Sequence, residues 1–295
     1  MKNVLLCLSA LVLFVPSVAM AEIKVVATLP TLGAIARAIG GEDVKVETLA
    51  TPTEDPHYVD PRPDYVLKLS RADLLIYNGM ELEIGWLPAL QKNSRNTKVL
   101  DNAPGAFDAS RFITPIDVPT TKVDRSQGDI HAQGNPHYIY ALPEAVLVAS
   151  ALANKYSQID PEHAENYKNR LAQFKSTAKA KDAAYQKRFS ELSSHQIITY
   201  HESMGYLNKW LKLEQIGTIE PKPGVAPSPS HVAQLVGKLK NTQVTAIIQE
   251  TFQPKATSEK IAKLLNIKVV AIEPGPRDDE DYFVYLDRTI DSFFK

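Results

Sequence analysis

Apolar runs and polar breaks along the chain predict two separate sets of strands. In the first half, "IKVVAT" (23–28), "VKVETLA" (44–50), "DLLIYNG" (73–79) and the short "KVLD" (98–101) are rich in β-branched and aliphatic residues and read as strands. Helical stretches lie between them, at 32–40 ("LGAIARAIG") and 63–72 ("PDYVLKLSRA"). The second half repeats the pattern with "QIITYH" (196–201), "EQIGTIE" (214–220), "VTAIIQE" (244–250) and "IKVVAIE" (267–273), and with helices at 230–240 and 255–266. Strands of this kind, spaced by helices, mark parallel sheets whose two faces are covered by crossovers. The pattern predicts an α/β protein of two lobes, each a mostly parallel four-stranded sheet with flanking helices.

From Pro161 to about Leu192 the periodicity changes. There is no internal Gly or Pro, and Tyr167, Leu171, Phe174, Ala178, Tyr185, Phe189 and Leu192 form one helical stripe. Asp160 is expected as N-cap and Pro161 as first helical residue. At 1.5 Å per residue such a helix is about 45 Å long, a stiff strut rather than a flexible linker. The expected organisation is a leader at 1–21, an N-terminal lobe at 22–159, the linking helix at 160–192 and a C-terminal lobe at 193–295. The turn-rich stretch 115–136 reads as an exposed loop.

The leader carries Lys2, the apolar run "VLLCLSALVLFV" and the small-x-small sequence Ala19-Met20-Ala21, which is the form of a secretory signal peptide cleaved after Ala21. The run is shorter than the ~20 residues a membrane span needs. The single cysteine, Cys7, falls inside it, so the mature chain is expected to have neither disulfide nor thiolate metal site. Ala21 and Glu22 stand where a lipoprotein would carry its anchor cysteine, so a free periplasmic protein is expected. The net charge of −1 and the absence of a basic cluster argue against nucleic acid or an anionic membrane as partner.

Seven histidines are present, and two share one frame: Pro56-His57-Tyr58 and Pro136-His137-Tyr138. Each proline stiffens its loop and pushes Asp55 or Asn135 toward extended conformations. Tyr58 and Tyr138 are expected to wall a cleft. His57 follows the second predicted strand, His201 closes "IITYH", and Glu250 and Glu273 close "AIIQE" and "VVAIE". Sites in open parallel sheets form outside the carboxyl ends of strands, so these side chains have a route to one cleft. Glu202 is expected to orient an imidazole and Glu250 to cap a helix or stand behind a ligand. His131 reads as a solvated loop residue with a transient metal role as its alternative. His163 and His231 read as first-turn helix residues, the latter after an N-cap at Ser230, and His195 as a strand opener without a partner.

The segments "DPHYVDPRPDYVLKLSRADLLIYNG", "GNPHY", "ITYHESMGYL", "IEPKPGVAPSPSHVAQL" and "VVAIEPG" together resemble the metal-specific periplasmic substrate-binding proteins of ABC transporters, in particular the zinc-uptake branch. The resemblance spans 22–295 and implies two α/β lobes joined by a rigid helix, with one divalent metal bound between them. It implies ligands at His57, His137 and His201, and a fourth, acidic ligand at Glu273, where many relatives carry Asp. It also implies Zn²⁺ as cargo, a membrane permease and its ATPase as partners, a monomeric chain and no catalysis. Imidazole suits zinc, whereas carboxylate and water suit manganese. The alternatives are a manganese- or iron-carrying receptor or adhesin of the same fold, and a zinc-dependent hydrolase. For the hydrolase no H-E-x-x-H or G-x-S-x-G pattern is present. The loop before "NPH", histidine-crowded in many zinc relatives, holds only His131 with Asp124 and Asp129.

Overall fold

The computed structural model describes residues 22–123 and 128–295; the expected leader with Cys7 and Ala21, and Asp124, lie outside the described residues. The first sheet holds β1 (Ile23–Ala27), β2 (Val44–Thr48), β3 (Leu74–Tyr77) and β4 (Ala106–Asp108) in the order β2-β1-β3-β4. The second holds β5 (Gln196–Thr199), β6 (Glu214–Thr218), β7 (Ala246–Glu250) and β8 (Lys268–Ile272) in the order β6-β5-β7-β8. Every pairing is parallel. Leu74, Leu75, Ile76, Ala246, Ile247 and Ile248 are wholly buried, because the inner strands are covered on both faces. The two sheets with flanking helices are those expected.

The fourth strand is not at 98–101. That stretch begins with a 3-10 turn, Thr97–Val99, and the strand comes later, pairing Leu75 with Ala106 and Tyr77 with Asp108. Side-chain hydrogen bonds divert the backbone. Asn96 accepts from the Lys98 N–H and donates to the carbonyls of Leu69 and Ala72, while Gln91 donates to the Val99 carbonyl at 2.7 Å. The groups a strand would offer its neighbour are already engaged.

The helices are α1 (Pro30–Gly40), α2 (Pro63–Arg71), α3 (Leu87–Ser94), α4 (Leu142–Ile159), α5 (Ala164–Ser190), α6 (Gly205–Leu211), α7 (Pro229–Leu239), α8 (Lys255–Leu265) and α9 (Tyr282–Ser292). Among the described residues none is long and apolar enough to cross a membrane. α5 is the expected strut, 27 residues or about 40 Å long. It starts later than expected: Pro161–His163 is a 3-10 turn, and Asp160 caps no backbone N–H. Its carboxylate instead accepts from the Tyr167 hydroxyl at 2.6 Å and pairs with the His163 ring at 2.7 Å.

The strut is fastened at both ends. Arg170 reaches the Gly40 carbonyl and Asp43, each at 2.6 Å, below the first sheet. Farther along, Tyr185 donates to Asp287, Arg188 to Asp291 and Gln186 to the Trp210 carbonyl, all on the second lobe. Phe174 packs with tilted rings against Tyr282 and Phe283 of α9, so one apolar cluster runs from the first sheet through α4 and α5 into the second lobe. The segment after β8 adds a clasp: Thr31 donates to the Pro274 carbonyl and Arg37 to that of Asp278. The two lobes are thus bound along one shared helix, with a cleft between their strand ends.

Candidate metal centre

Each ring of the centre is held from behind by an acceptor at Nδ1. Asp55 Oδ1 accepts from the His57 backbone N–H at 3.0 Å and lies 2.8 Å from His57 Nδ1. Asn135 Oδ1 does the same for His137, at 3.0 and 2.9 Å. Asp and Asn side chains favour a bond to the backbone two residues on, and an intervening proline holds the turn. The repeated frame is therefore Asx-Pro-His, with the Asx holding the ring as well as the chain. An acceptor at Nδ1 keeps the proton there and leaves the Nε2 lone pair facing away from it. Nε2 of both His57 and His137 is buried without a protein partner.

His201 reaches the same arrangement through strand register. Thr199 pairs with Thr218 across β5 and β6, and two residues on, His201 Nδ1 lies 2.7 Å from Glu220 Oε2. The same oxygen accepts from the Gly224 N–H at 2.8 Å, which pins the loop after β6. The three rings form a triangle with centroids 5.1, 5.3 and 5.6 Å apart. Among the described residues, His57, His137 and His201 are the one group of three or more candidate ligands whose donor atoms all lie within 4.8 Å of one another. Two histidines come from the first lobe and one from the second.

Asn135 also ties the lobes. Its Nδ2 donates to the Glu202 carbonyl at 2.9 Å and to Asp117 at 3.2 Å, so one amide orients His137 and holds the residue beside His201. Glu202 thus contributes its backbone; its carboxylate is exposed, and the orienting role expected of it falls to Glu220. Glu250, at the end of β7, is buried; Oε1 lies 3.4 Å from the Tyr140 hydroxyl and Oε2 has no partner. Its side chain caps no helix. With His57, His137, His201, Glu220 and Tyr58 it lines a cavity of about 290 Å³.

Glu273 is not brought to the histidines. Its carboxylate lies between Arg277 and Arg288, at 2.9 Å from Arg277 Nε and 3.0 Å from Arg288 Nη1. The topology explains this: β8 is an edge strand, two places from the β5 that leads to His201, and its end turns toward α9. His131, by contrast, stands against the centre. Its ring stacks on His57 at 5.4 Å and its Nε2 is buried without a partner. It belongs to a strap that crosses the cleft: the Asp129 N–H donates to the Pro223 carbonyl of the other lobe at 2.9 Å, and the Tyr58 hydroxyl donates to Asp129 at 2.8 Å. Tyr58 walls the cleft as expected. Tyr138 does not; it is buried and donates to the Asn78 carbonyl. His231 lies at the start of α7, capped by Ser228 rather than Ser230.

The electrostatics favour neutral imidazoles at His137 and His131. Burial, with His57, His201 and His131 close by, holds the His137 imidazole well below the usual histidine range. Burial and the neighbouring His57 push His131 down to about 4. At His201 burial works in the same direction, but hydrogen bonding to Glu220 and the charges of Glu250, Glu220 and Asp55 outweigh it and raise its pKa. Three imidazoles backed by acceptors and flanked by carboxylates bring together the donors and the counter-charge that a bound cation needs.

The family described as "Zinc-uptake complex component A periplasmic" matches residues 25–295. The manganese ABC transporter substrate-binding lipoprotein PsaA of Streptococcus mitis is 26% identical over 255 residues, covering 85% of this chain and 79% of its own. The metal ABC transporter substrate-binding lipoprotein ScbA of Streptococcus cristatus is 25% identical over 254 residues, with the same coverage. Among solved structures, a crystal structure of ZnuA superposes with a TM-score of 0.76 at 21% identity, over 93% of this chain and 99% of the other. FpvC of Pseudomonas aeruginosa in complex with Mn²⁺ superposes with a TM-score of 0.74 at 19% identity, over 92% and 97%. The chain belongs to the zinc-uptake complex component A family and is the metal-binding, substrate-binding component of an ABC transporter, not an enzyme.

Proposed function

We propose that His57, His137 and His201 together bind a single Zn²⁺ in the periplasm and that the loaded protein passes it to the permease and ATPase of its transporter. The observation that carries this reading is the group of three histidines with donor atoms within 4.8 Å. Tetrahedral zinc with Zn–N bonds of about 2.0–2.1 Å sets its nitrogens roughly 3.4 Å apart, so atoms within 4.8 Å of one another need draw in by at most about 1.4 Å. The fourth place opens on the cavity bordered by Glu250, and water fills it. Glu273 serves the fold through its two arginines.

Zinc is favoured over manganese because all three donors are imidazole nitrogens, with Asp55 and Glu220 engaged behind them. The manganese reading rests on the names of relatives such as PsaA. Competition separates the two. Metal-stripped protein is equilibrated with zinc in the presence of increasing manganese, and bound metal is measured after gel filtration. One zinc retained against a large manganese excess supports the proposal; displacement at comparable concentrations assigns manganese.

A further inference from the structure

The segment after β3, "NGMELEIGW" (78–86), supplies no donor to the centre, yet its construction is costly. Gly79, Met80 and Glu81 have φ of 81°, 51° and 64°, a run of left-handed conformations that two non-glycine residues adopt only when the surroundings compel them. Glu83 pins the start of this run. Its carboxylate is buried and accepts from the Thr28 hydroxyl at 2.7 Å and from the N–H groups of Asn78 at 2.6 Å and Gly79 at 3.1 Å. Burial pushes its pKa up to about 7 despite those donors. A buried carboxylate is a poor choice for stability alone, since an apolar side chain of similar size would fill the space without the desolvation penalty.

The clamped segment reaches both Asx-Pro-His loops. Asn78 Nδ2 donates to the Pro136 carbonyl at 2.9 Å, and its own carbonyl accepts from the Tyr138 hydroxyl at 2.5 Å, so the residues on either side of His137 are held. Trp86, also buried, donates its indole N–H to the Pro56 carbonyl at 3.0 Å, immediately before His57. The prolyl carbonyl before each histidine thus rests on a side-chain donor from one short stretch of chain. The two loops come from different parts of the lobe and share this stretch as a common reference.

We propose that Glu83 is a positioning residue for metal capture, fixing through Asn78 and Trp86 the spacing and tilt of His57 and His137, whose rings stand 5.1 Å apart at 50°. The inference rests on the reading of those histidines as metal ligands. Glu83→Gln keeps the shape but sets an NH₂ against the Gly79 N–H, which in the wild-type protein donates to the carboxylate, and so loosens the clamp. Trp86→Phe keeps most of the apolar volume and deletes the donor to Pro56.

The test measures Zn²⁺ affinity, the absorption spectrum of the Co²⁺-loaded protein and the melting temperature of the metal-free protein for both variants. Partners behind metal ligands are worth about 10–100-fold in affinity. Glu83→Gln is expected to weaken zinc about tenfold and to shift the cobalt bands, which report ligand geometry, in protein still folded at the assay temperature. Trp86→Phe is expected to act in the same direction, and it carries the test alone if Glu83→Gln does not fold. Wild-type affinity and an unchanged cobalt spectrum in the folded variants, with only the melting temperature lowered, would overturn the proposal. Failure of the wild-type protein to bind zinc would instead remove the underlying reading, and this inference with it.

Discussion

Removing the Asn135 side chain tests how the centre is held together. The amide makes four contacts: Oδ1 accepts from the His137 N–H and ring, and Nδ2 donates to the Glu202 carbonyl and to Asp117. In Asn135→Ala the His137 ring loses the acceptor that sets its tautomer and orientation. Loss of such a partner costs about 10–100-fold in metal affinity, which is roughly 1.4–2.8 kcal/mol. Folding is affected separately, because a buried donor left without its acceptor costs about 1–3 kcal/mol. At about 2–4 °C per kcal/mol for a chain of this size, the metal-free protein should melt several degrees lower. Asn135→Asp divides the two effects. It keeps an acceptor for His137 but sets a carboxylate against the Glu202 carbonyl and Asp117, so stability should fall while zinc affinity stays within a few-fold of wild type. Competition with a chelating dye gives the affinities, and calorimetric scanning without metal gives the stabilities. Zinc binding by Asn135→Ala within twofold of wild type would refute the claim that this amide positions a ligand.

Glu273→Gln should leave zinc affinity unchanged and lower stability by less than about 1 kcal/mol, because its arginine partners are partly exposed and screened; a large affinity loss in direct titration would restore Glu273 as a ligand. The same pairing holds the Glu273 carboxyl below its ordinary range despite burial. Its contribution to stability should therefore be complete above about pH 4.3 and lost as pH falls through the depressed folded value, so acid unfolding of wild type and Glu273→Gln should converge at low pH. Zinc affinity should fall as pH drops from about 7.5 to about 5.5, since each imidazole must be neutral to bind. Against the effect of burial, Glu220 and Glu250 raise the His201 pKa, so this imidazole takes up a competing proton more readily than that of His137. An affinity flat over that interval, measured by buffered competition, would contradict a three-imidazole site.

Much of this was legible in the chain because parallel sheets announce themselves. Runs such as "DLLIYNG" and "VTAIIQE" are apolar on both faces, and sites at strand ends follow from the topology. The "PHY" repeat marked two histidines, yet the residue before each proline carries as much information. Asp55 and Asn135 share the property that an Asx side chain bonds two residues ahead, and that could have been read locally. Glu220 could not, since it meets His201 only once β5 and β6 lie in register. "KVLD" looked like a strand because the competing acceptors and donors, Asn96 and Gln91, are side chains whose reach is set by folding. Helix α4 was missed although Leu142, Ala145, Val148, Ala149, Leu152 and Tyr156 form its buried face. His131 read as solvated because the bond between Asp129 and Pro223 that draws its loop over the cleft joins different lobes. Both its strand-end position and the resemblance point Glu273 toward the site, but β8 is an edge strand and the carboxylate pairs with Arg277 and Arg288 instead.

Metal capture as proposed requires three imidazoles to act as one binding site. Its most direct test is a calorimetric titration of metal-stripped protein with Zn²⁺, for wild type and for His57→Ala, His137→Ala and His201→Ala. One tight site is expected in wild type and a loss of at least about 100-fold in each variant, because each removes a bond to the ion rather than a partner behind one. Retention of tight zinc binding by any of the three variants would contradict it.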